Sequence, residues 1–203
     1  MLINEEVMVV DKTSLVDKFN LQNGVITGKV KDDVYEFVLA NHFYMARQEA
    51  ETSDLHKQII PYVVVTFEGK YLLFKRKSKQ SETRLHNMYS LGVGGHINPD
   101  TQNENDPIIA GLFKEFYEEL TLAEHTKPRF IGLVNDDSNM VGECHLGFLF
   151  TLEALTYQFS LPEFDKMEAD WVDKKKLAEL YEYMESWSKF YYDRFVSDGR
   201  PYS

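Results

Sequence analysis

The chain has 203 residues, 43% hydrophobic and 27% charged, an ordinary globular composition long enough for one domain with a sizeable core. Its formal net charge of -11, from 33 acidic and 22 basic residues, argues against a nucleic-acid binder, which carries a basic excess or a dense basic stripe. The single cysteine, Cys144, rules out an intramolecular disulfide and fits a reducing compartment. No apolar run approaches the ~18 residues of a membrane helix, and Met1-Leu2-Ile3-Asn4-Glu5-Glu6 lacks the basic-then-apolar pattern of a signal peptide. The expected location is the cytoplasm, with no membrane partner.

In chain order, Val7-Met8-Val9-Val10 suits a short strand and Thr13-Ser14 the start of a short helix. Val34 to Leu39 is apolar without a clear period, and Ala46 to Glu51 suits a polar connection. The pattern sharpens at Ile60-Pro61-Tyr62-Val63-Val64-Val65-Thr66-Phe67, whose β-branched and aromatic residues predict a buried strand. Glu68-Gly69-Lys70 is a turn, and Tyr71 to Arg76 returns as a second strand. Lys77 to Met88 is a polar loop.

Ser90-Leu91-Gly92-Val93-Gly94-Gly95-His96-Ile97 is a strand punctuated by glycine, which marks a bulge or a close backbone approach. An acidic, amide-rich loop follows from Asn98. Asp106-Pro107 then resembles an N-cap with proline at the first helical position, opening a helix to about Leu122. Arg129 to Val134 and Cys144 to Leu152 are two further strands around an Asp136-Asp137-Ser138-Asn139 turn. Met167 to Val172 is a last strand, Asp173 caps a helix through Leu177 and Leu180, and a final aromatic helix runs from about Tyr183 to Phe195. Met184, Trp187, Phe190, Tyr191 and Phe195 sit there at helical spacing and suit a core or a dimer face. Cys144 is expected in the core.

The central helix carries Glu115, Glu118 and Glu119. Offsets of three and four place the three carboxylates on one helical face. Ile109, Leu112, Phe113, Phe116 and Leu120 form an apolar stripe on another. Like charges so placed repel, and a hard divalent cation would remove that cost because Mg²⁺ seeks carboxylate oxygens. A solvated acidic face is the plainer alternative, since glutamate is a good helix former.

A Gly-Gly at the end of a strand, a loop, then Lys114-Glu115-Phe116-Tyr117-Glu118-Glu119-Leu120 resembles the Nudix box, G-x5-E-x7-R-E-U-x-E-E-x-G-U with U aliphatic. Gly95 matches its first glycine, Glu115 the acid after the arginine, Phe116 the apolar position, Glu118-Glu119 the acid pair and Leu122 the last aliphatic. The likeness spans about residues 59–180. The long N-terminal segment and the Met184-Glu185-Ser186-Trp187-Ser188 helix resemble a bacterial subgroup of predicted Nudix phosphohydrolases. Four positions depart from the pattern. Lys114 replaces the arginine, Thr121 the second glycine and Asp106 the first acid, for which Glu104 is an equal candidate. Gly95 and Lys114 are 19 positions apart, roughly five more than the pattern allows.

The resemblance implies an α/β/α sandwich with a mixed sheet: one domain over residues 1–203, its core about 59–180, an N-terminal extension about 1–58 and a C-terminal helix about 183–196. It implies hydrolysis of a diphosphate linkage in a small molecule such as a nucleoside diphosphate derivative. Mg²⁺, or Mn²⁺ in its place, would be held by Glu115, Glu118, Glu119 and the carbonyl of Gly95. Glu115 or Glu119 would be the general base, with Glu143 an outside candidate. Arg76 and Arg84 flank the glycine strand and are candidates to hold phosphate oxygens. His96 and His145 suit satisfied structural histidines, and no spacing suggests zinc. A Nudix-fold nucleotide-binding or regulatory module without catalysis is the alternative from a different class, kept open by Lys114 and Thr121. A plain α/β interaction protein is a third, disfavoured by the glycine strand.

Overall fold

The computed structural model describes residues 5–76, 88–162 and 167–197. In chain order the elements are β1 (Glu6–Asp11), α1 (Lys12–Phe19), β2 (Gly24–Ile26), α2 (Lys29–Asn41), β3 (Phe43–Ala46) and α3 (Arg47–Ala50). Then come β4 (His56–Phe67), β5 (Lys70–Arg76), β6 (Tyr89–Ser90), β7 (Gly92–Gly94), α4 (Pro107–Glu119), β8 (Thr121–Leu122) and β9 (Arg129–Asn135). The chain continues with α5 (Met140–Glu143), β10 (His145–Glu153), β11 (Phe159–Ser160), β12 (Met167–Val172), α6 (Lys174–Leu180) and α7 (Ser186–Tyr191).

Among the described residues all strands but β8 and β11, which pair with each other, form a mixed sheet whose main path is β12-β5-β4-β10-β9-β2. Its spine is β4, which runs parallel to β10 in one unbroken register from Gln58↔His145 to Thr66↔Glu153. The other pairings are antiparallel. On its second edge β4 is shared: β7 pairs at Tyr62 to Val64, β1 at His56 to Gln58. The residues before Ile59 therefore supply strands to the central sheet, with β1 on β4 and β2 on β9.

Alternation along β4 separates two apolar layers. Ile59, Val63 and Val65 face one side, where Ile108, Leu112 and Phe116 of α4 pack with Leu15, Val34 and Val38. Tyr62 and Val64 face the other, against Leu177 of α6 and Tyr191 and Phe195 at the C-terminal end. Helices thus cover both faces, and the expected α/β/α sandwich with a mixed sheet is the observed architecture. No helix among the described residues is long and apolar enough to cross a membrane.

Several local expectations need correction. The central helix stops at Glu119, because Leu120 turns extended (φ -142°, ψ 136°) and Thr121, β-branched, pairs with Ser160 instead. Cys144 lies outside the strand; it closes α5, buried, with its thiol 3.2 Å from the Val141 carbonyl. The glycine strand breaks at Leu91 into β6 and β7. Residues 34–39 belong to α2, and the polar stretch 46–51 holds the short helix α3. The last helix begins at Ser186 rather than Tyr183, and past Phe195 it is helical as expected, with α7 running on into a π-helix over Tyr192–Ser197.

Candidate active site

The site is assembled where β7 meets α4. β7 lies against β4 with Gly94 opposite Tyr62, and the next residue, Gly95, passes beside the acidic face of α4. A side chain on Gly95 would overlap the Glu115 carboxylate, and one on Gly94 would overlap the Pro61 carbonyl. Gly111 plays the same part on the helix, where an added Cβ would lie 2.8 Å from Ile97. Gly94 is thus needed for the close approach of β7 to β4, and Gly95 leaves room for the Glu115 carboxylate beside its backbone.

Glu115 is half-buried, Glu119 partly buried and Glu118 exposed. Burial, then the charges of Glu118 and Glu119, push the Glu115 carboxyl up to about 7, and Glu5 adds to the repulsion while Lys114 opposes it. The expected charge conflict on this face is therefore present. Among the described residues no three His, Cys, Asp or Glu side chains already converge as a metal cluster. Glu115, Glu118 and Glu119, expected to hold the cation, thus share a helical face without closing into such a cluster. The hard carboxylate oxygens on this face, with the Gly95 backbone alongside Glu115, fit a divalent cation.

The structure answers how the helix is braced without arginine. Lys114 turns to the inserted loop: its Nζ donates to Asp100 Oδ2 at 2.7 Å and to Asn98 Oδ1 at 3.1 Å. Asn98 Nδ2 in turn donates to the Glu6 carbonyl at 2.9 Å and to Glu5 Oε1 at 3.3 Å. Arg47 donates to Glu5 Oε2 at 2.9 Å and to Glu51 Oε1 at 2.8 Å. The loop between β7 and α4 thus gives Lys114 its partners and ties the acidic helix to β1 and α3.

Asp106 is a helix cap and takes no part in the acidic cluster. Its Oδ1 accepts from Ile108 and Ile109 N–H, both at 3.0 Å, and its Oδ2 from the Tyr35 hydroxyl at 2.8 Å. Glu104 is exposed. Glu143 is exposed on α5, which joins β9 to β10. Arg84 lies outside the described residues, and Arg76 is placed only by its strand pairing with Met167. His96 and His145 face one another with ring centroids 5.7 Å apart. Burial first, then Arg47 and His145, hold His96 down to about 3, so it is neutral. It is not fully satisfied as expected, since among the described residues its buried Nε2 has no hydrogen-bond partner. No sequence pattern singles out Glu5 or Arg47 for this network. Only the place of Asn98 directly after the glycine strand hinted at a role.

No protein-family model matches the chain. The protein YmaB of Bacillus subtilis (strain 168) is 35% identical over 156 residues, spanning 73% of this chain and 76% of that protein. The crystal structure of Tm1382, assigned as a Nudix hydrolase, superimposes with a TM-score of 0.78 at 30% identity, covering 92% of this chain and 95% of that one. The MutT protein of Methanosarcina mazei Go1 shares the fold at a TM-score of 0.51 and 19% identity, over 70% of this chain and 95% of that one.

Proposed function

The chain belongs to the Nudix hydrolase family, a Nudix-type pyrophosphohydrolase, and from that premise we propose that it cleaves the diphosphate linkage of a nucleoside diphosphate derivative or related pyrophosphate with the help of Mg²⁺ or Mn²⁺. The observation that carries this is the Gly95 backbone set against the Glu115 carboxylate. Glu115, Glu118, Glu119 and the Gly95 carbonyl would hold the cation. When bound, it would neutralise phosphate oxygens and ease attack by water on phosphorus. The chain's own part is to orient the diphosphate at the end of β7 and to receive the proton of the attacking water. Glu115 and Glu119 are the two candidates for that proton, and the pH–rate profiles of Glu115→Gln and Glu119→Gln would separate them. Arg76 and Arg84 remain candidates to bind the phosphates.

The test is incubation with Mg²⁺ and nucleotide sugars, dinucleoside polyphosphates, NADH, ADP-ribose and nucleoside triphosphates, with released phosphate species measured. We expect turnover of at least one, reduced by more than about 100-fold in Glu118→Gln, since even outer-shell partners of a metal are worth 10–100-fold. No turnover and no Mg²⁺-dependent thermal shift would sink the proposal. Mg²⁺-dependent nucleotide binding without turnover would instead establish the non-catalytic module.

A further inference from the structure

The glycine strand changes partners as it nears the site. Ser90 pairs with Phe74 of β5, and Gly92 pairs with Val64 of β4. At this switch two backbone N–H groups go to side chains: Leu91 donates to Ser188 Oγ at 2.7 Å and Gly92 to the Tyr62 hydroxyl at 2.9 Å. Ser90 Oγ donates to the Gly92 carbonyl at 2.7 Å. Leu91, Ser90, Tyr62 and Ser188 are all buried, so these bonds have no solvent to replace them.

One carboxylate organises the group. Glu185 Oε1 accepts the Tyr62 hydroxyl at 2.8 Å, the Ser188 hydroxyl and the Ser188 N–H at 2.9 Å. Its Oε2 accepts the Trp187 N–H at 2.8 Å, which caps α7. The Glu185 N–H donates to the Tyr89 carbonyl at 3.0 Å. The start of α7 therefore grips the strand from Tyr89 to Gly92.

We propose that Glu185 and Ser188 are positioning residues of the active site, fixing the partner switch at Leu91 and through it the place of the Gly95 backbone against Glu115. This rests on the divalent-cation reading of that contact. Two residues, Val93 and Gly94, lie between Gly92 and Gly95, and all three glycines are closely packed. A side chain on Gly92 would overlap the Tyr62 ring, one on Gly94 the Pro61 carbonyl and one on Gly95 the Glu115 carboxylate. A shift at Leu91 would be passed along this short, crowded segment to the Gly95 backbone. A satisfied buried network that only stabilises the fold is the competing role, and cation affinity separates the two.

The test uses the full chain as wild type, Ser188→Ala, Ser188→Thr and Tyr62→Phe. Free Mn²⁺ is measured by electron paramagnetic resonance beside circular dichroism melts. We expect Ser188→Ala to bind Mn²⁺ about tenfold more weakly while folded, as for loss of an outer-shell partner, and Ser188→Thr, which keeps the hydroxyl, to recover most of it. A lowered melting temperature with wild-type Mn²⁺ affinity would overturn the proposal and leave the cation site intact. Should Ser188→Ala fail to fold, Tyr62→Phe, which keeps the ring beneath Gly92, decides by the same criterion. Wild-type protein that binds no Mn²⁺ would instead overturn the cation site itself, and the positioning role with it.

Discussion

The Glu115 carboxyl titrates near 7 in the folded chain, against 4.5 for an unperturbed glutamate. Between those values the unfolded state releases a proton that the folded state retains, so stability falls as pH rises. The penalty is absent below about 4.5 and complete above about 7. In chelator, Glu115→Gln should therefore melt higher than wild type above pH 7 and match it near pH 4.5; parallel melting curves across that window would show that the carboxyl is not under strain. Added Mg²⁺ should recover the loss in wild type and not in the variant. Lys114 belongs to the same scale. Its pair with Asp100 is partly exposed, so it contributes tenths of a kcal/mol to stability and matters more for where the inserted loop sits.

Helix α4 was legible because its signals are local. Asp106-Pro107 states the start, the apolar stripe states the face, and the glutamates follow at helical offsets. The cap is also a tertiary joint, since Tyr35 of α2 donates to the same carboxylate that caps α4. Asp106→Ala should cost about 1–2 kcal/mol, as for a lost N-cap, while Tyr35→Phe, which leaves the cap in place, should cost less; urea unfolding measures both. Equal losses would mean the α2 contact, not the cap, dominates. The end of α4 was less legible, because Leu120 and Thr121 are decided by a partner strand 39 positions away at Ser160. α2 was ambiguous for a related reason: only Val34 and Val38 of it are buried, too few to show a period. The Lys114 tie and the Glu185 network could not be found by spacing at all, since their partners come from the inserted loop and from α7.

Across the whole molecule, β4 collects strands from both ends of the sequence. Met8 and Val10 of β1 are fully buried in the layer that seats α4. We therefore expect a chain cut to residues 59–203 to lose its fold, since it removes Met8, Val10, Leu15, Val34 and Val38 from the layer that seats α4 and leaves that core open. Circular dichroism and size-exclusion chromatography would test this, and a monomeric, cooperatively melting fragment would show that the first 58 residues are a true appendage. The grip of Ser188 on Leu91 spans 97 positions. On a ribosome adding 5–20 residues per second, Leu91 is made roughly 5–20 s before its partner. A nascent chain can therefore display every glutamate of the acidic helix and still lack a settled glycine strand until Ser188 has emerged.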